Sequence, residues 1–110
     1  FDVCEIIKKY EPQIFVIEEV FFGKNAKSAL MLGHARGAAM VSATHNNLVV
    51  YEFSAKKIKQ SITGNGNADK KQIQFMVKNI LNLQELPYPL DASDALATAL
   101  CYFQNSRLDL

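Results

Sequence analysis

The spacing of apolar residues changes along the chain, and each spacing predicts a different element. Apolar residues three or four positions apart predict a helix over 2–10, which Pro12 ends by forcing the preceding residue out of the helical region. A nearly unbroken apolar run then predicts a strand over 13–20, and a similar run predicts another over 48–53. We expect both strands to be buried, the first of them on both faces.

A long helix is predicted between the two strands, over 26–43. A connection of this length joins parallel strands, so the segment should form a βαβ unit with a right-handed crossover. The helix carries small residues at successive four-residue steps, namely Ala29, Gly33 and Gly37. Glycine inside a helix costs about 1 kcal/mol relative to alanine, so a neighbouring element should approach closely there. Packing on the sheet is the favoured explanation, ahead of a helix contact across a homodimer.

The second half of the chain predicts two helices after a basic stretch. Residues 54–63 are short and basic, and we interpret them together with 64–67 as loop. A helix then begins near Asp69 and carries the apolar stripe Ile73, Met76, Val77, Ile80 and Leu81. A last helix has its apolar face on Ala92, Ala95, Leu96, Ala99, Leu100 and Phe103. The whole pattern predicts an α/β fold in the order helix, strand, helix, strand, basic loop, helix, helix.

Composition is typical of one globular domain. The 110 residues are 49% apolar and 21% charged, with a net charge of +1. The charge is unevenly spread, because residues 54–83 hold six lysines and a single acid, Asp69. Such a block suits a polyanion, although a solvated lysine face is the commoner outcome.

The two cysteines bear on the compartment. Cys4 and Cys101 lie inside apolar helical patterns and lack the spacing of a zinc site, so we expect buried thiols in a reducing environment. No apolar run is long enough to cross a membrane, and no signal peptide is recognisable. These features predict a cytoplasmic protein.

Asp91 and Asp94 form the first of two acidic pairs that are candidates for chemistry. They stand three residues apart at the predicted start of the last helix, where they could form a capping box stabilised by the helix dipole. The same spacing puts both carboxylates on one helix face, where their oxygens could bind a hard cation. Capping is the commoner explanation from spacing alone, and the two roles are compatible.

The second acidic pair, Glu18 and Glu19, lies at the end of the first strand. In an open α/β sheet, ligands and metals bind at the carboxyl ends of the strands. Successive side chains of a strand point to opposite faces, so at most one of the two glutamates faces a given site. Periodicity does not decide which one, and a solvated strand end would explain both.

Loop 64–67, GNGN, lies between Lys59 on one side and Lys70 and Lys71 on the other. It matches neither a P-loop nor a dinucleotide-binding fingerprint, but its backbone N–H groups and the lysines could bind a DNA phosphate. A flexible basic loop fits equally well. Phe21, beside the second acidic pair, is either a core residue or an aromatic that stacks on an unpaired base.

Four motifs in this sequence resemble those of a known family. They are IEEVF at 17–21, NAKSALMLGHARG at 25–37, IKQSITGNGNADKKQ at 58–72 and DASDALA at 91–97. Their order and spacing, over essentially all of residues 3–103, are similar to those of the RuvC family of Holliday-junction resolvases. A chance match of four such specific motifs in the right order is very rare.

The resemblance implies a partial ribonuclease-H-like fold, with a mixed central sheet flanked by helices. It describes residues 1–110 as a single nuclease domain that lacks its N-terminal three-stranded part. The family uses four acidic residues to hold two Mg²⁺ ions, or Mn²⁺, and Glu18, Asp91 and Asp94 match three of them. Glu19 falls on a variable position, and the first acid belongs to the part that we expect to be missing.

The resemblance also implies the substrate and the DNA-binding residues. The family acts as a homodimer that nicks opposing strands of a four-way DNA junction in recombination and repair, and a branch-migration motor is an implied partner. Lys59 and Lys70 match lysines that contact DNA near the scissile phosphate, where they stabilise charge or hold the strand in register. Phe21 matches an aromatic residue that contacts junction bases, and Lys71 joins this set through its position beside Lys70. Because the first acid is absent, the alternative is a non-catalytic DNA-binding or dimerisation module of the same fold.

Overall fold

The computed structural model of this chain describes residues 3–19 and 26–108, and the side chains of 3–19 and 33–106. Five helices and two strands are found in these residues, in the order α1 (Val3–Tyr10), β1 (Ile14–Glu18), α2 (Ala26–His45), β2 (Val49–Phe53), α3 (Ala55–Thr63), α4 (Lys70–Ile80) and α5 (Leu90–Leu108). Contacts group the chain into two compact units, Phe1–Glu52 and Phe53–Leu110. The assignment of residues 1–110 to one nuclease domain stays a prediction.

The first unit contains the predicted βαβ arrangement. Strands β1 and β2 form a two-stranded parallel sheet, and α2 connects them, which confirms the interpretation of this segment. The backbone N–H of Val49 donates to the carbonyl of Gln13 at 3.2 Å. In a parallel ladder this bond places Ile17 beside Glu52. Because side chains alternate along a strand, Glu52 points to one face of the sheet and Glu18 to the other.

Burial of the two strands is lower than predicted. The apolar residues of β1 are half-buried and Glu18 is exposed, while β2 has three exposed and two half-buried residues. The expectation of strands buried throughout is wrong for the described residues, in which each strand has one hydrogen-bonded neighbour. The apolar contacts instead gather in a small cluster where α1 packs on α2, made of Ile7, Ala43 and Leu48 and covered by Val3, Phe15 and Val50.

Gly37 on α2 does not mark a close approach. The residue is exposed, and a Cβ atom added to it would meet no other atom within 4 Å. The expected packing of this glycine against the sheet is therefore wrong. No contact in the described residues requires a glycine at this position. The free-energy cost of glycine relative to alanine inside the helix is therefore not offset by tighter packing.

The second unit is a bundle of α3, α4 and α5, each of which packs on the other two. Residues 54–63 were expected to be loop, and the structure corrects this, because Ala55–Thr63 is the helix α3. Its Ile58 and Ile62, one turn apart, are buried in the bundle core. The other buried members of this core are Ile73, Val77, Ala97 and Cys101.

Helix α5 turns a different face to the core from the one predicted. Its buried residues are Ser93, Ala97, Thr98 and Cys101, with Leu96 and Leu100 partly buried beside them. Ala95 and Phe103 were assigned to the apolar face, but both are exposed. The reason is that apolar residues lie on most sides of this helix, so hydrophobic spacing alone does not fix its rotation.

Two smaller expectations can also be compared with the structure. Cys101 is a buried thiol as predicted, whereas Cys4 is only half-buried. Among the helices that the structure describes, none is both long enough and apolar enough to cross a membrane.

Candidate functional site

Lys59 lies on helix α3, which has a defined cap at each end. The hydroxyl of Ser54 caps the helix by accepting a hydrogen bond from the N–H of Lys57 at 3.1 Å. Gly64 ends it in the left-handed region, with φ of 80°, and donates its N–H to the carbonyl of Gln60 at 2.8 Å. Lys59 lies in the middle of α3 and is half-buried, so its stem is restrained before the charge reaches solvent.

The loop that follows α3 is closed by its own hydrogen bonds. The hydroxyl of Thr63 donates to the carbonyl of Lys59 at 2.8 Å and accepts from the N–H of Asn65 at 3.0 Å. The side-chain oxygen of Asn65 accepts from the N–H of Asn67 at 2.9 Å, and its carbonyl accepts from Ala68 at 3.1 Å. Most backbone N–H groups of the loop are thus already engaged, which argues against the expectation that they bind phosphate.

Lys56 packs its aliphatic stem against this loop. A Cβ atom added to Gly66 would lie 2.9 Å from Cγ and 3.1 Å from Cε of Lys56. Glycine at this position therefore leaves room for the lysine chain to cross the loop, and the positive charge of Lys56 is held close to it.

Helix α4 begins with a complete capping box. The carboxylate of Asp69 accepts from the N–H of Gln72 at 2.8 Å, and the side chain of Gln72 accepts from the N–H of Asp69 at 2.8 Å. Lys70 and Lys71 occupy the first turn, and both are exposed. Asp69, the only acid of residues 54–83, forms no salt bridge with these lysines. No lysine whose side chain the structure describes forms a salt bridge.

Asp91 and Asp94 lie on the first two turns of α5, which begins at Leu90. Asp91 is therefore inside the helix, and the interpretation of the pair as a capping box is wrong. Three-residue spacing puts both carboxylates on one helix face, with Asp91 exposed and Asp94 half-buried. Neither carboxylate has a hydrogen-bond or ion-pair partner among the described side chains. Carboxylate oxygens left available in this way are suitable ligands for a divalent cation such as Mg²⁺.

Between these two acids, Ser93 points the other way. It is 1% exposed, and its hydroxyl oxygen has no hydrogen-bond partner within the described part of the chain. A buried and unsatisfied hydroxyl costs about 1–3 kcal/mol, so this turn of α5 is not optimised for stability alone.

Glu18 ends strand β1 in the other compact unit and is exposed. Among the described residues, no three acidic, histidine or cysteine side chains gather closely enough to hold a metal ion. The assignment of Glu18, Asp91 and Asp94 to one site stays a prediction. Phe21, the predicted base-stacking residue, lies outside the described residues.

One contact between α2 and β2 has no counterpart in the sequence patterns. Arg36 donates from its Nη2 atom to Oε2 of Glu52, although these residues are far apart in the chain. Arg36 belongs to the HARG motif, so the motif singled it out. Its partner could not be identified, because no local pattern links residues of different elements.

Comparison with known proteins connects these features to one family. The family model of crossover junction endodeoxyribonuclease RuvC matches residues 2–102. The chain is 50% identical to the RuvC protein of Caldicellulosiruptor saccharolyticus over 105 residues, which cover 96% of this chain and 63% of that protein. It is 52% identical to the RuvC protein of Shewanella woodyi, of which it covers 60%.

Solved structures show the same likeness. The fold matches Thermus thermophilus RuvC with a TM-score of 0.86, and T. thermophilus RuvC in complex with Holliday junction substrate with a TM-score of 0.90. Both are 34% identical to this chain and cover 97% of it, while it covers 64% and 65% of theirs. The ribonuclease-H-like α/β fold expected from the resemblance is thus confirmed. The chain spans about three fifths of the length of the curated relatives it matches.

Proposed function

This chain belongs to the RuvC family, and we propose that it forms part of an endonuclease that resolves four-way DNA junctions. The observation that carries the proposal is a pair of unpartnered carboxylates, Asp91 and Asp94, in a compact unit whose lysines make no salt bridge among the described residues. Cation-binding acids and unneutralised lysines are what hydrolysis of a DNA phosphate requires.

Glu18, Asp91 and Asp94 would together hold two divalent metal ions, Mg²⁺ or Mn²⁺. When bound, such ions supply activation of water and stabilisation of the charge that develops on the phosphate and the leaving oxygen. Asp91 and Asp94 suit this role because α5 fixes their spacing and its N-terminal dipole stabilises their negative charge. Glu18 would add an oxygen ligand from the carboxyl end of β1, where sheet-based sites are built.

Lys59, Lys70 and Lys71 would bind the DNA backbone. Lys59 is half-buried on α3, so its position is more restricted than that of an exposed lysine, and it would stabilise charge at the scissile phosphate. Lys70 and Lys71 add their charges to the positive end of the α4 dipole and would hold the strand in register. Phe21 would contact unpaired bases of the junction.

The active assembly would be a homodimer, because resolution of a junction needs paired nicks in two opposing strands. Such an enzyme would act on DNA in recombination and repair, in the cytoplasm and beside a branch-migration motor. The T. thermophilus relative in complex with Holliday junction substrate supports this choice of DNA.

The test is a nicking assay with the complete natural chain, on a synthetic four-way junction and a linear duplex. Asp94→Asn should lower the rate of Mg²⁺-dependent nicking by about 100-fold or more, because metal catalysis is worth several kcal/mol. Binding to the junction without metal should stay within about twofold of the unmodified protein. Glu85→Gln, an exposed acid outside the proposed site, is the matched control and should nick normally.

Nicking that survives Asp94→Asn would overturn the assignment of the site. If the unmodified complete chain binds the junction but nicks nothing with Mg²⁺ or Mn²⁺, the non-catalytic module becomes the correct function.

A further inference from the structure

Helix α4 carries a face that the proposed function does not use. Lys71, Phe75 and Lys78 recur at four and then three residues, which aligns them along one side of the helix. On the other side Ile73 and Val77 are buried in the bundle core. Packing of these two residues in the core therefore fixes the rotation of α4. As a result, the side of the helix that carries Lys71, Phe75 and Lys78 is directed outward.

Phe75 is 54% exposed on this outer face. Isolated apolar residues are common on protein surfaces, so exposure alone indicates nothing about function. The charges around Phe75 are more informative, since a lysine lies one turn before it and another one turn after it. From Lys70 to Gln84 the chain has no acid, and no lysine of α4 makes a salt bridge with a described residue.

This arrangement has the chemistry of a surface that binds unpaired DNA. Aromatic side chains stack on the faces of bases, and lysines beside them neutralise the phosphates of the same strand. Lys71 and Lys78 are about 10 Å apart along the helix axis, and their long flexible side chains can reach phosphates on either side of one stacked base. An apolar protein partner would leave two lysine charges without a counter-charge at the interface.

We propose that Lys71, Phe75 and Lys78 form a second DNA-binding surface, here called the α4 face. On this face Phe75 stacks on an unpaired base and the two lysines bind the adjoining phosphates. The proposal rests on the proposed function, because the unpaired base would come from the point where the four arms of the junction meet. It also continues from the first turn of α4, where Lys70 and Lys71 already belong to the proposed DNA interface.

The experiment measures equilibrium binding of the complete natural chain to a four-way junction at several salt concentrations. Phe75→Ala should weaken binding by about 5- to 150-fold, the range expected for loss of one base stacked on an aromatic side chain, with little change in salt dependence. Lys78→Ala should lower the slope of log affinity against log salt by about 0.7–0.9. Phe103→Ala is the matched control, because Phe103 is 60% exposed on α5, a helix without lysine, and should bind normally.

Fluorescence supplies a second measurement. Residues 1–110 contain no tryptophan, so within them Phe75→Trp introduces an indole at the α4 face and Phe103→Trp introduces one elsewhere. Addition of junction DNA should quench the emission of the first variant, through base stacking, and leave that of the second nearly unchanged.

The outcomes separate the two proposals. If the unmodified chain does not bind the junction, the proposed function fails. If it binds, but Phe75→Ala and Lys78→Ala bind as tightly and with the same slope, only the α4 face is refuted. A change in sedimentation mass with Phe75→Ala, without loss of DNA affinity, would identify a second copy as the partner and also refute it.

Discussion

Arg36 on α2 forms an ion pair with Glu52 on β2, through the guanidinium Nη2 and the carboxylate Oε2. The pair joins the crossover helix to the second strand of the parallel sheet. The Nε atom of Arg36 is buried and has no partner within the described residues, which makes Glu52 the main support of this guanidinium. Since Glu52 and Glu18 point to opposite faces, the ion pair lies away from the predicted metal ligand of β1.

Loss of Glu52 should therefore destabilise the protein. Glu52→Ala is expected to lower the free energy of unfolding by about 1 kcal/mol, a modest value because the glutamate side chain is 38% exposed and solvent screens the charges. In a double-mutant cycle with Arg36→Ala, the coupling should be about 0.5–1 kcal/mol. Urea unfolding of the complete natural chain measures it, with the exposed Glu5→Ala on α1 as control. Simple additivity of the two changes would show that the pair contributes nothing.

Two glycines should respond to alanine in opposite directions. Gly64 ends α3 with φ of 80°, where a Cβ atom is strained, so Gly64→Ala should cost about 1–2 kcal/mol of stability. Gly37 lies inside α2 with open space around it, so Gly37→Ala should add about 0.5–1 kcal/mol. Thermal unfolding of both variants checks this. Equal shifts of the melting temperature in the same direction would contradict it.

Helix α3 has clear local signals in the sequence, although its basic composition led to the prediction of a loop. Ser54 as a cap, Ile58 and Ile62 one turn apart, and Gly64 as a terminator are all signals of a short helix. The three lysines of this segment make it basic, which favours the interpretation as a loop. The hydrogen bonds show that local capping chemistry, rather than composition, determines this segment.

The start of α5 was predicted less well for a different reason. Asp91 is a common type of capping residue, yet the helix begins before it, at Leu90, and the carbonyl of Pro89 accepts from the N–H of Ala92 at 2.9 Å. A single motif cannot separate a cap from a site residue, because carboxylates near a helix N-terminus are favourable in both roles. By contrast, the start of α4 near Asp69 was predicted correctly, and the structure adds a capping box in which Asp69 and Gln72 form two mutually supporting hydrogen bonds.

That cap gives a direct prediction of stability. Asp69→Ala removes the acceptor for the N–H of Gln72 and should lower the free energy of unfolding by about 1 kcal/mol. Asp69→Asn keeps a capping oxygen and should lose only a few tenths of that amount. Urea unfolding distinguishes the two variants. If Asn is as damaging as Ala, the charge of Asp69 beside Lys70 matters more than the capping hydrogen bond.

The proposed DNA-binding lysines should be separable by salt dependence. A lysine that neutralises a phosphate releases a counterion on binding, so its removal lowers the slope of log affinity against log salt by about 0.9 for duplex DNA. Lys59→Ala and Lys70→Ala should each show this loss on a four-way junction. Lys8→Ala, an exposed lysine of α1 in the other compact unit, should not.

Lys59 should differ from Lys70 in one further respect. It is half-buried on α3, which restricts its side chain, whereas Lys70 is exposed on the first turn of α4. A fixed charge stabilises a transition state better than a mobile one, because less reorganisation is needed during the reaction. Lys59→Ala should therefore reduce single-turnover nicking of bound junction by at least about tenfold, and Lys70→Ala should reduce it less. Equal single-turnover rates in the two variants would restrict Lys59 to binding and remove it from the catalytic set.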